Sequence, residues 1–133
     1  MWPNQDSFFG EVRVIRILVI IILFCLSSSV AMAGEADVVR VEVKRSGTVY
    51  DFAVTVSHHD EGWKHYADKW VVVAPDGHVL ATRTLYHPHV DEQPFRRSLT
   101  GVKIDAKIRK VTVRAHDLIH GYGGREVVVD LPD

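Results

Sequence analysis

The chain has 133 residues, a formal net charge of −1 and 47% hydrophobic residues, values typical of one small globular domain. No block of lysines or arginines occurs, which excludes nucleic acid and an anionic membrane surface as partners. The one cysteine, Cys25, and both methionines lie in the first 33 residues, so disulfide and thiolate chemistry is excluded from the rest.

Residues 1–33 have the zones of a signal peptide. Arg13 and Arg16 supply positive charge, residues 17–26 form an apolar run, and Ala31 and Ala33 occupy the small-residue positions before a cleavage point. The run is short of the ~20 residues that a spanning helix needs. We therefore predict cleavage after Ala33, a periplasmic or secreted protein, and membrane contact only through the leader before cleavage.

The first part of residues 1–33 fits this pattern poorly. Asp6 and Glu11 place acids where a signal peptide is basic, which predicts that translation starts later, at Val12 or Val14. Bulky residues precede Cys25, so lipid attachment to that residue is not predicted.

Alternation of apolar and polar residues with a period of two predicts the first strands of the mature domain, residues 34–133. Two strands flank a Ser46-Gly47 turn, and their predicted inward residues are Val39, Val41, Val43, Tyr50, Phe52, Val54 and Val56. The third and fourth strands, residues 69–74 and 78–86, pair across the Pro75-Asp76-Gly77 turn.

Three further strands complete the predicted domain. They cover residues 95–104, with a bulge at Gly101, residues 110–115, with Val111 and Val113 inward, and residues 125–131. Seven short strands without a helical period predict an all-β, seven-stranded antiparallel immunoglobulin-like sandwich as the single domain.

Histidine is the most unusual feature of the composition, with eight residues. If successive strands alternate in direction, seven histidines lie at one pole of the sandwich and His78 lies at the other. The seven are His58, His59, His65, His87, His89, His116 and His120, and the acids that join them are Asp60, Glu61, Asp91, Glu92 and Asp117. Imidazole and carboxylate without sulfur suit zinc(II), copper(II) or non-haem iron(II), and disfavour copper(I).

The segment His87-Pro88-His89 is the sharpest metal-binding element in the sequence. In an extended segment its two imidazoles project from one face, and the proline fixes the backbone between them. The first candidate ligands are therefore His87, His89, His58 and His116, followed by His120 and His59.

Two other interpretations of this pole stay open. The histidines are equally compatible with solvated loops or with hydrogen bonds between loops; His58, for example, continues the inward phase of its strand. A second functional hypothesis is a surface for a glycan or an envelope protein, formed by Trp63, Tyr66, Tyr86 and Tyr122. Catalysis is not predicted, because neighbours such as Ser57 and His58 point to opposite faces of a strand and cannot form a triad.

Four motifs within residues 58–129 support a resemblance. They are Asp60-Glu61-Gly62-Trp63, His87-Pro88-His89, Glu92-Gln93-Pro94-Phe95 and His120-Gly121-Tyr122-Gly123-Gly124. With these motifs the chain resembles a group of short, uncharacterised secreted bacterial proteins. The resemblance implies a periplasmic or secreted setting and no activity. From the residues themselves we predict a metal carrier, sensor or accessory protein rather than an enzyme.

Overall fold

The computed structural model describes residues 34–133. The predicted leader, its cleavage point and Cys25 lie outside the described residues. No helix within residues 34–133 is long and apolar enough to cross a membrane.

Seven antiparallel strands in two sheets form the described part of the chain. They are β1 (Asp37–Ser46), β2 (Val49–Ser57), β3 (Ala67–Val73), β4 (Val79–Thr84), β5 (Phe95–Val102), β6 (Lys110–Asp117) and β7 (Val127–Asp130). One sheet has the order β1-β2-β5 and the other the order β4-β3-β6-β7. The predicted all-β architecture of seven antiparallel strands in two sheets is confirmed.

The fourth strand gives the sandwich its particular topology. In the constant-type immunoglobulin order the fourth strand extends the first sheet. Here β4 pairs with β3 across the turn at Pro75-Asp76-Gly77, as the hairpin pattern predicts. The core between the sheets contains Trp70 of β3, Phe52 of β2 and Phe95 of β5, each nearly or fully buried.

Two β-bulges decide which residues of the first sheet face the core. The predicted inward position of Val39 is wrong: the register shifts between Val38 and Arg40, so Val38 is fully buried and Val39 is 42% exposed. The predicted bulge at Gly101 is confirmed, because the register between β2 and β5 shifts there and Gly101 has a φ of +70°.

The start of β1 contacts the loop between β6 and β7. The backbone N–H of Val38 donates to the carbonyl of Arg125, and the N–H of Arg125 donates to the Asp37 carboxylate. This approach requires a glycine at position 124, since a Cβ there would overlap the carbonyl oxygen of Ala36. The N-terminal end of the domain is thereby held at the loop that follows β6.

We expect Gly124→Ala to lower the free energy of unfolding by about 1–3 kcal/mol, because the new methyl group meets fixed backbone. Gly123→Ala is the matched control: its Cβ would meet only the Glu35 side chain, which is exposed and able to move. Urea denaturation of both variants compares the two costs. Equal costs at the two positions would contradict this account of the contact.

Candidate metal centre

The site lies where β2 and β6 end, one strand from each sheet. His58 follows β2 directly and keeps the inward phase of Val54 and Val56, and it is 4% exposed. Asp117 is the last residue of β6 and keeps the inward phase of Val113 and Ala115. Period-two alternation therefore brings a histidine and an aspartate to the same end of the core from opposite sheets.

Asp117 and a second aspartate, Asp60, have side chains with no exposed surface. Asp60 accepts the backbone N–H groups of Ala67, at 3.1 Å, and His89, at 2.6 Å. Asp117 accepts hydrogen bonds from two backbone N–H groups of the following turn. Within residues 34–133, the ion-pair partners of both carboxylates are histidines only, with no lysine or arginine. Within the described residues, hydrogen bonds from backbone N–H groups and contacts with imidazoles therefore stabilise the two buried carboxylates.

The charge state of Asp117 follows from its hydrogen bonds. Burial acts to raise the pKa of its carboxyl group, but the backbone N–H groups of His120 and Ile119, together with the His120 ring, outweigh burial. The pKa of Asp117 therefore lies below its ordinary value, and the group is an anion at neutral pH.

Two imidazoles approach this anion in the same way. Nδ1 of His58 pairs with Oδ1 of Asp60 at 2.5 Å, and Nδ1 of His65 pairs with Oε2 of Glu61 at 3.2 Å. When Nδ1 donates its hydrogen to a carboxylate, Nε2 of a neutral imidazole carries a lone pair. Carboxylates therefore fix both rings with Nε2 turned toward Asp117.

The three groups converge without hydrogen-bonding one another. Nε2 of His58 lies 3.5 Å from Oδ2 of Asp117, and Nε2 of His65 lies 3.5 Å from Oδ1. Both Nε2 atoms are buried and have no hydrogen-bond partner. One ligand atom from each of the three residues lies within 4.8 Å of the others.

These separations have the size expected of ligands that share a metal ion. Zinc bonds of about 2.0–2.1 Å to nitrogen and oxygen in a tetrahedral site place neighbouring ligand atoms about 3.3 Å apart. The 3.5 Å separations of Nε2 from the Asp117 oxygens are close to that value. Two histidines and one carboxylate also form a ligand set of non-haem iron(II) sites.

His120 lies on the more open side of this group. Its Nδ1 is 3.2 Å from Oδ2 of Asp117, and its ring centroid is 5.1 Å from that of His65. Its side chain is 29% exposed, against 10% for His65 and none for His58. His120 is therefore the nearest candidate for a further ligand.

Of the six histidines predicted as ligands, the structure brings His58 and His120 to Asp117. His116 lies on the other face of β6, where its Nδ1 pairs with Asp68 at 2.6 Å. His59 is exposed beside His58. These placements leave His59 and His116 outside the group at Asp117.

The His87 and His89 pair also lies outside that group. Their ring centroids are 4.7 Å apart, with His87 exposed and His89 5% exposed. The His89 ring stacks on Phe95 at 4.1 Å, and neither of its nitrogens has a hydrogen-bond partner. His89 joins the site through its backbone N–H, which donates to Asp60.

The four aromatic residues predicted to form a glycan or protein surface make different contacts. Trp63 and Tyr66 form a T-shaped pair at 5.9 Å. Tyr122 lies under the Arg114 guanidinium, at 4.3 Å, and against the His116 ring. Tyr86 is 74% exposed.

Sequence reasoning did not select His65 and Asp117 as ligands. A signal for Asp117 was present, because the inward phase of Val111 and Val113 continues through Ala115 to Asp117. The predicted strand ended at residue 115, two residues too early. No strand contains His65, so no periodicity could place its ring.

Comparison with known proteins gives one relative. The chain is 42% identical over 97 residues to a protein of Halomicrobium mukohataei whose provisional name is lipoprotein. The alignment covers 72% of this chain and 47% of that protein, so the chain spans about half the length of the curated relative it matches. No family model matches the chain, and no solved structure matches it. The relative's name states no ligand and no activity.

The buried His89 ring predicts a pH dependence of stability. Burial, the Arg97 guanidinium and His87 lower the pKa of His89, so the folded protein keeps this ring neutral at a pH where the unfolded chain gains a proton. Stability therefore falls as the pH drops through the ordinary histidine range. We expect His89→Leu to show a smaller fall in unfolding free energy between pH 7 and pH 5 than the parent protein.

Urea denaturation in the presence of EDTA measures this difference without interference from metal. His59→Leu is the matched control, because His59 is exposed and its removal leaves the buried ring in place. An unchanged fall in His89→Leu would show that His89 does not resist protonation in the folded protein.

Proposed function

We propose that this domain binds one divalent transition metal ion, zinc(II) or copper(II), through Nε2 of His58, Nε2 of His65 and the carboxylate of Asp117. The protein acts as a metal carrier, sensor or accessory protein of the cell envelope. One observation carries the proposal: two buried, unpartnered Nε2 atoms converge on a buried carboxylate that no lysine or arginine compensates within the described residues. A bound cation satisfies all three groups at once.

The outer hydrogen bonds support the same assignment. Histidine ligands in metal sites commonly donate their second ring hydrogen to a carboxylate, which orients the ring and makes it more basic. His58 has this arrangement with Asp60, and His65 has it with Glu61. Asp60 is itself fixed by the backbone N–H groups of Ala67 and His89. The rings of His58 and His65 are therefore already oriented with Nε2 toward Asp117.

The ligand chemistry favours a borderline divalent ion. Residues 34–133 contain no cysteine or methionine, so a soft ion such as copper(I) finds no sulfur. Two imidazoles and a carboxylate suit zinc(II) and copper(II), and His120 is placed to supply a fourth ligand. A site with four protein ligands would hold its ion for structure or storage rather than for catalysis.

The envelope setting rests on two observations. The first 33 residues have the charge and apolar pattern of an export signal. The relative from Halomicrobium mukohataei is named a lipoprotein, and a lipoprotein belongs to the cell envelope. Both support an exported protein, whether periplasmic or secreted.

Metal titration of the protein as purified after export, without a histidine tag, tests the site. We expect one zinc(II) per chain, and zinc at a hundred times its dissociation constant should add about 2.7 kcal/mol to the free energy of unfolding. His65→Gln removes one of three ligands and should weaken zinc binding by at least about a hundredfold. Glu61→Ala should weaken it by about tenfold or more, although the Glu61 side chain is half-exposed.

The control variant is His116→Gln, which removes an imidazole from the other face of β6 and should leave zinc affinity unchanged. The double variant His87→Ala/His89→Ala distinguishes this site from the one at the His87-Pro88-His89 segment. Loss of zinc binding in the double variant with retention in His65→Gln would move the site to that segment. Failure of the parent protein to bind zinc(II) or copper(II) would overturn the proposal.

Acid should release the metal, since both Nε2 atoms must be free of protons to bind it. We expect zinc affinity to fall by at least about tenfold between pH 7 and pH 5, with most of the loss inside the ordinary histidine range. Competition with a chelator of known pH dependence measures the affinity at each pH. Equal affinity at the two pH values would contradict histidine ligation.

A further inference from the structure

A groove lies between two loops beside the metal centre. It has a volume of about 540 Å³ and is lined by Gly62 and Trp63 of the loop between β2 and β3, and by residues 87–92 of the loop between β4 and β5. The two loops are joined by a hydrogen bond, because the backbone N–H of His89 donates to Asp60 in the loop between β2 and β3. The groove is therefore a feature of the folded loops and is open to solvent.

The apolar part of the groove is unusually exposed for a small domain. Trp63 is 68% exposed and Val90 is 56% exposed, and Pro88 also lines the groove. The indole of Trp63 makes a T-shaped contact with Tyr66. An exposed tryptophan in a concave surface is a common centre of recognition.

The charged side chains that line the groove are acidic. Asp91 is exposed and has no ion-pair partner within residues 34–133, whereas Glu92 is paired with Arg97 at 3.0 Å. No lysine or arginine lines the groove. A carboxylate attracts a cation by its charge, and the face of an indole ring attracts a cation by its quadrupole.

One lining residue has unused hydrogen-bonding capacity. His89 is 5% exposed, and both of its ring nitrogens lack a hydrogen-bond partner. Such an unpaired buried group costs free energy unless a ligand or water pairs with it. Within the described residues, no other group satisfies either nitrogen of this ring.

We propose that this groove binds the cationic side chain of an arginine or lysine carried by a basic peptide segment of a partner protein. The cation lies against the indole of Trp63 and pairs with the Asp91 carboxylate. Lysine and arginine side chains offer only hydrogen-bond donors, which complements the carboxylate of Asp91, unpaired within the described residues. Charge complementarity selects this occupant over a neutral saccharide or a lipid surface.

The proposal goes beyond metal binding and does not require it, since His58, His65 and Asp117 do not line the groove. Experiments in EDTA therefore test the groove alone. If the protein binds no metal, peptide binding to the groove can still be tested. If the groove binds no peptide, the proposed metal site is unaffected.

Fluorescence of Trp63 provides the measurement. Among residues 34–133 the other tryptophan is Trp70, which is fully buried, so a ligand in the groove should change the emission of Trp63. The probe is the peptide acetyl-Gly-Arg-Gly-amide, titrated at low ionic strength into the protein as purified after export. The matched probe replaces arginine by citrulline, which keeps the shape and removes the charge. We expect the arginine peptide to bind about tenfold more tightly.

Variants locate the binding. Asp91→Asn should weaken the arginine peptide by about threefold to tenfold and leave the citrulline peptide unchanged. Trp63→Leu, followed by calorimetry, should lose binding of both peptides. Tyr86→Ser is the control, because Tyr86 is as exposed as Trp63 but does not line the groove. Its affinity should equal that of the parent protein.

Several results would overturn the proposal. Equal binding of the two peptides would show that charge is not recognised, and unchanged binding in Asp91→Asn and Trp63→Leu would place the site elsewhere. Absence of peptide binding would exclude a cation site. A change in Trp63 emission with a neutral tetrasaccharide or with phosphatidylcholine vesicles, but not with the arginine peptide, would assign the groove to a glycan or to lipid.

Discussion

Two buried carboxylates, which have no lysine or arginine partner within residues 34–133, determine the arrangement of one end of this sandwich. Asp60 and Asp117 lie at the point where strands of the two sheets end, and their side chains have no exposed surface. Backbone N–H groups stabilise both carboxylates, and the other close partners of these groups within the described residues are imidazoles.

The same carboxylates hold the loops in place. Asp60 connects the end of β2 with the start of β3 and with the loop before β5, through the N–H groups of Ala67 and His89. Gln93 adds a second link, because its side chain accepts the N–H of His58 and donates to the carbonyl of His89. Asp117 holds the turn that carries His120. Loop geometry, groove and candidate centre therefore depend on one polar network.

Strand periodicity predicted the sheets and part of this network. It placed His58 on the core side of β2, and the turn residues predicted the pairing of β3 with β4. Periodicity failed at the Val38/Arg40 bulge, where an extra residue changes the phase, and in the loops, where no repeat exists. The burial of His89 follows from its stacking on Phe95, a tertiary contact that spacing along the chain cannot reveal.

Burial also bears on how readily the proposed ion would exchange with solvent. An ion at Nε2 of His58 would lie among side chains with no exposed surface, and the most exposed histidine beside Asp117 is His120, whose side chain is 29% exposed. Nδ1 of His120 is 3.2 Å from Asp117, so if His120 closed the site as a fourth ligand, release of the ion would require that ring to move. A site closed by one movable ligand holds its ion longer than an open surface site does. Because Asp117 also accepts the N–H groups of the turn after β6, an ion at its carboxylate would depend on the order of that turn.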